Sequence, residues 1–246
     1  MYCRPLRPAA ILVGGLAGFL AAPAHGWEKQ WNEAPAIEDS CLAYDARYSE
    51  APLFQIVAKN ANNSAPGKVY LFSRKIACGQ GASLCPARTN AYLIDRDVVF
   101  GGPQDNNFRC VYYGTAKGKI VAGFVPAENL APFAENEELT QDFLRGVWTY
   151  DGNPQIVITP ADNNKVSATG DAAWPGPGAH ARNTGSFSAV ASPAGKEITF
   201  RDGDGEYSCK VDLLRRGPYL VAKDNGYCGG MNVRFSGILM KVLGGK

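Results

Sequence analysis

From Lys68 to Val242 the chain is written as short apolar runs separated by turn residues, and that rhythm constrains the fold more than any other feature. "KVYLFS", "AYLI", "DVVFGG", "RCVYYG" and "KIVAGFV" follow one another, with clusters such as "GGPQDNN" and "GTAKGK" between them. Runs this short suit strands, which average about five or six residues, better than helices of about eleven. Clustered Gly, Asn and Asp supply the positive φ of tight reversals. The pattern predicts consecutive hairpins in a small antiparallel barrel or sandwich over residues 68–133.

The rhythm breaks at "APFAENEELTQDFLRGVW". Pro132 ends a strand region, and acids lead into Leu139, Phe143 and Leu144 at helical spacing. A linker carrying a short helix is expected over 134–145. After Gly146 the strands resume as "VWTY", "QIVIT", "KVSATGDAAW", "TGSFSAV", "EITFRD", "YSCKVDLL", "YLVAKD" and "VRFSGILMKV", joined by "DGNP", "SPAGK", "DGDGE" and "RRGP". Residues 146–246 thus read as an eight-stranded up-and-down barrel or compact sandwich, and the chain as a whole as all-β.

Residues 1–26 carry Arg4 and Arg7, an apolar run from Ile11 to Ala22, and small residues at Ala24 and Gly26. This is the order of a secretory signal peptide. The run is short of the roughly 20 residues a membrane-spanning helix needs. The expected product is periplasmic or secreted, with an irregular polar arm over 27–67. Without Arg4 and Arg7, 23 basic residues face 23 acidic ones. With no basic excess or run, nucleic acid and anionic membranes are discounted as partners.

Export gives the cysteines their meaning. Cys41, Cys78, Cys85, Cys110, Cys209 and Cys228 form an even set, which favours disulfides outside the cytoplasm. If the long gap after Cys110 separates two domains, Cys209 pairs with Cys228. Three pairings stay open among Cys41, Cys78, Cys85 and Cys110. No zinc-type spacing is present, and neither a metal nor a cofactor is expected.

The stretch "AYLIDRDVVFGGPQDNNFRCVYYGTAKGKIVAGFVPAENL" resembles a bacterial Src-homology-3-like domain. Tyr92 and Leu93 stand for the entry strand, Asp97 to Val99 for the Asp-led valine strand, Val111 to Tyr113 for the "VYY" strand, and Gly123 to Val125 with Leu130 for the closing motif. Phe124 occupies the position of the usual tryptophan. The resemblance implies recognition of cell-wall peptide or another envelope component. The second half, through "GVWTY", "NTGSFSA" and "DNGYCGGMNVRFSG", is similar to exported bacterial proteins of unassigned activity. The Ser-Gly-x-x-Tyr loop of periplasmic lysozyme inhibitors is not matched, since "SGILM" ends in Met240.

Catalysis finds little support. A cysteine nucleophile needs a base, and beyond residue 26 the only histidine is His180, in a loop rich in Gly and Pro. Cys228 is better read as half of a staple. Asp202, Asp204 and Glu206 alternate like the start of a calcium loop, but Tyr207 and Leu213 stand where that loop needs Gly and Glu. Glu135, Glu137 and Glu138 offer carboxylate pairs of the kind any exported domain has. Trp174, ahead of "PGPG", is the expected exposed anchor, with a cap on the barrel end as its structural counterpart. Tyr112 and Tyr113 face opposite sides of their strand, so one is buried and one available.

The sequence therefore predicts a non-catalytic envelope binding protein whose binding residues are Trp174, Tyr112, Tyr113 and Phe124. Its partner is a cell-wall component or an envelope protein. An inhibitor or immunity protein against a wall-degrading enzyme such as lysozyme is the alternative, and an acid-based glycoside hydrolase is the least favoured reading.

Overall fold

The structure is a computed structural model that describes residues 50–58, 67–74, 86–105, 107–176 and 182–242. The 1–26 segment, the arm up to residue 49, Cys41, Cys78, Cys85 and His180 lie outside the described residues. The described chain is all-β, with two antiparallel sheets.

The first sheet contains β1 (Leu53–Ile56), β2 (Lys68–Arg74), β3 (Pro86–Ile94), β4 (Val98–Asp105), β5 (Phe108–Gly114), β6 (Ile120–Pro126) and β7 (Leu130–Pro132). Its order is β3-β2-β6-β5-β4-β1-β7. The five apolar runs read from the sequence supply β2 to β6. The other two strands extend one edge: β1 comes from the stretch assigned to the arm, and pairs with β4 through Phe54↔Val99 and with β7 through Gln55↔Ala131. "LFQI" is too short to show a period, so only its distant partners reveal it as a strand.

Both faces of this sheet are apolar. Val99, Val111 and Val125 gather with Ile56, Val69, Leu71 and Leu93 on one side. On the other, Phe100, Tyr112 and Phe124 meet Tyr219, Ile238 and Met240 from the second sheet. Side chains alternate along a strand, so β5 sends Val111 into its own core and Tyr112 into the contact between the two sheets.

The second sheet contains β8 (Gly146–Thr149), β9 (Gln155–Pro160), β10 (Val166–Pro175), β11 (Arg182–Ala191), β12 (Glu197–Asp202), β13 (Cys209–Arg216), β14 (Tyr219–Asp224) and β15 (Gly237–Val242). Each of the eight runs after Gly146 yields one of these strands. They form a nearly closed barrel in the order β11-β10-β9-β8-β15-β14-β13-β12. Its interior is filled by Trp148, Ile156, Ile158, Val211, Leu213 and Phe235, among others. Phe187 meets Phe235 edge-on at 5.1 Å.

The acidic linker carries the one-turn helix α1 (Gln141–Leu144), whose first turn is capped by the Thr140 hydroxyl accepting from the Phe143 amide at 3.1 Å. Leu139 and Leu144 are buried in the barrel core, and the Trp148 indole N–H donates to the Leu144 carbonyl at 2.7 Å. The acids ahead of the helix are clamped. Arg216 donates through Nε to Glu135 at 2.6 Å and through Nη2 to the Ala51 carbonyl at 2.6 Å. Arg215 donates to Glu137 and, at 2.6 Å, to the Glu138 carbonyl.

A buried tyrosine bolts the sheets together. The Tyr219 hydroxyl donates to the Val98 carbonyl at 2.5 Å and accepts from the Gly114 amide at 3.3 Å, while its ring lies 5.1 Å from Phe100. Burial pushes its phenol above the usual tyrosine value. The two sheets thus share an apolar cluster and polar ties.

Candidate functional site

The barrel is stapled where β14 turns into β15. Asp224 ends β14 with a carboxylate that organises the turn: Oδ2 accepts from the Phe235 amide at 2.6 Å, the Ser236 amide at 3.1 Å and the Ser236 hydroxyl at 2.9 Å, and Oδ1 accepts from the Gly226 amide at 2.7 Å. Asn225 holds the neighbouring hairpin, donating to the Ser208 carbonyl at 2.8 Å and accepting from the Lys210 amide at 3.1 Å. Cys228 then bonds Cys209, with a Cα–Cα distance of 4.4 Å. This is the pairing that the division of cysteines between two domains predicted. Cys110 is also disulfide-bonded.

The same loop closes the barrel seam. β12 ends at Asp202, whose carboxylate accepts from the Ser188 amide of β11 at 2.8 Å. Beyond Ser188, β11 runs on past the end of β12, and the loop takes the place of a strand there. Gly229 bridges Gly185, and the Gly230 amide donates to the Thr184 carbonyl at 3.1 Å. The approach requires glycine on both sides: a Cβ at Gly185 would stand 2.2 Å from the Cys228 carbonyl oxygen, and one at Gly229 2.5 Å from the Gly185 Cα.

Three large side chains project from this closure. Tyr207, Tyr227 and Met231 are 68%, 52% and 78% exposed. The two tyrosine rings meet edge-on at 5.2 Å, and the disulfide joins the residues beside them. Tyr227 directly precedes Cys228, and Tyr207 stands two positions before Cys209. The staple therefore fixes a tyrosine pair in water. Trp174 lies at the same end, paired with Asn183, whose amide donates to the Met231 carbonyl at 2.7 Å. Its ring is half-buried and packs on the barrel core, so it both caps the barrel and borders the exposed patch.

The other sequence-derived binding residues stand elsewhere. Tyr112 and Phe124 are buried in the cluster between the sheets, which leaves neither ring open to a ligand. Tyr113 is half-buried on the first sheet and donates to Asp97 at 3.2 Å; burial first, then the Asp97 charge, pushes its phenol up to about 12. The four residues do not converge. Tyr207, Tyr227 and Met231 were not among them, although tyrosines flanking a stapled turn were visible in the sequence.

Several of the candidate chemical groups are engaged in structure. Cys228 is oxidised, so it carries no thiolate. Glu135 and Glu137 face arginines, and Asp202 closes the seam. Among the described residues, no group of three or more His, Cys, Asp or Glu is placed to hold a metal ion. Also among them, no helix is long and apolar enough to cross a membrane. Comparison of the chain with protein-family models, curated proteins and solved structures finds no match.

Proposed function

We propose that this is a non-catalytic binding protein of the bacterial cell envelope, acting in the periplasm or after secretion, that takes wall peptide or a protein partner at the stapled mouth of its barrel. The observation that carries the reading is the exposed Tyr207–Tyr227 pair beside Met231, fixed by a disulfide. Tyrosine offers a large apolar face with a polar tip, and Tyr and Met are enriched where proteins bind. A loop already fixed by a covalent bond forfeits less freedom on binding than a free one. The disulfide fits an oxidising compartment, and the resemblance of residues 91–130 to Src-homology-3-like domains agrees with a role at the wall.

The test is co-sedimentation with insoluble peptidoglycan, alone and with a lysozyme-like enzyme added. Wild-type protein should be retained, on bare wall if wall peptide is the partner, or only with the enzyme if the partner is the enzyme. The double variant Tyr207→Ala/Tyr227→Ala should lose retention while its melting temperature stays within about 2 °C, since exposed side chains contribute little to stability. Equal retention of the double variant would remove the mouth from the proposal. Turnover of wall fragments would overturn the non-catalytic reading.

A further inference from the structure

The outer wall of the barrel carries a second feature, on the opposite side of the sheet from the filled core. An open groove of about 780 Å³ runs along β10 and β11 and is bordered by the β8–β9 turn. Its floor follows from the register. Asp171 lies opposite Ser186, Ala173 opposite Thr184 and Pro175 opposite Arg182, so these outward-facing positions form three successive rungs. Gln155 of β9 extends the first rung beyond Asp171. Asn153 fixes the rim by accepting from the Ala173 amide at 2.8 Å and donating back to its carbonyl.

Charge is arranged lengthwise in this groove. Asp171 stands at one end and Arg182 at the other, both exposed, and among the described residues neither side chain has a hydrogen-bond or ion-pair partner. Between them lie the hydroxyls of Thr184 and Ser186 and the methyl of Ala173, with no further charge among the described residues. Four residues along a strand and one strand across separate their Cα atoms by roughly 14 Å. Side chains stand roughly perpendicular to a sheet, so the two charged groups keep about that spacing, and with about 3 Å for a hydrogen bond at each end roughly 8 Å remains between the two charges of a ligand. An extended peptide gains about 3.3 to 3.6 Å per residue, so two or three residues with both termini free fit that span.

We propose that this groove binds a short zwitterionic peptide, its ammonium group at Asp171 and its terminal carboxylate at Arg182. Guanidinium matches a carboxylate with two parallel N–H donors, while an aspartate accepts from an ammonium. Thr184 and Ser186 can each donate to or accept from the backbone between. The groove uses none of the exposed side chains of the barrel mouth, and the inference stands independently of the function proposed for that mouth.

Calorimetric titration of the full chain with tri-alanine tests it, beside N-acetylated and C-amidated tri-alanine. Binding of free tri-alanine should weaken about fivefold or more when either terminus is blocked, the factor that about 1 kcal/mol of a solvent-facing ion pair gives. Asp171→Asn should abolish the preference for a free amine and leave that for a free carboxylate; Arg182→Gln should do the reverse. Both positions are exposed, so neither variant should shift the melting temperature. Failure of tri-alanine to bind at millimolar concentration, equal affinity for the blocked peptides, or unaltered selectivity in the two variants would each overturn the proposal.

Discussion

Replacing Cys209 and Cys228 together by alanine isolates what the staple contributes. Substitution is cleaner than a reducing agent, which would also act on the disulfide of Cys110. The bond closes a loop with a sequence separation of 19. In the chain-entropy treatment a loop of that size removes about 11 cal/mol/K from the unfolded chain, or about 3 kcal/mol at room temperature. Both cysteines are buried, so the alanines also leave small gaps, and about 3 kcal/mol is a lower bound. For a chain of this size each kcal/mol shifts the melting temperature by roughly 2–4 °C, which predicts a fall of about 6–12 °C. Circular dichroism melts of wild type and double variant measure it. Hydrogen exchange at the Gly230 amide supplies an independent readout, because the bond it donates to the Thr184 carbonyl belongs to the loop that this disulfide tethers. A melting temperature unchanged within 2 °C, with the same protection at the Gly230 amide, would refute the claim that the disulfide holds the seam shut.

Other perturbations separate the remaining elements. Gly229→Ala places a methyl group 2.5 Å from the Gly185 Cα, and the forced separation should cost about 1–3 kcal/mol in a urea titration. Glu135→Ala leaves Arg216, whose side chain is only 8% exposed, without its carboxylate; a loss of about 3 kcal/mol is expected, and Arg216→Met with Glu135→Leu should recover part of it. Stability should fall as pH rises above 10: Tyr113, Tyr150 and Tyr219 all hold their protons more tightly in the fold than in the unfolded chain, so the stabilisation is intact below the unfolded value of 10.0 and is lost as the pH climbs through the raised ones. Melting temperatures across pH 9 to 12 measure the decline, and Tyr113→Phe should make it shallower.

The barrel was legible because its strands are bracketed by turn residues and because one face of each carries the core. Ile156 and Ile158, or Val211 and Leu213, announce the inward side two residues apart. The first sheet was harder to read. β5 is apolar on both faces, Val111 toward one cluster and Tyr112 toward another, and periodicity cannot say that the eight-stranded barrel covers the far side. That is why Tyr112 and Phe124 looked free to bind when they cement the two halves. β1 gave no signal, since four residues without alternation depend on partners supplied much later in the chain. The exposed patch shows the opposite limit. Tyrosine beside a turn is ambiguous by itself, and Tyr207 and Tyr227 acquire a common location only once Cys209 and Cys228 are joined.

The position of β15 has a consequence for how the molecule is made. It is the last strand among the described residues, yet it lies between β8 and β14, with Met240 opposite Thr149 and Leu239 opposite Leu220. During synthesis, β8 and β14 have nothing between them until residues 237–242 have been added. Their unpaired edges and the apolar lining remain accessible until then, the condition in which exposed strands pair with other chains. Closure of this half waits for that strand.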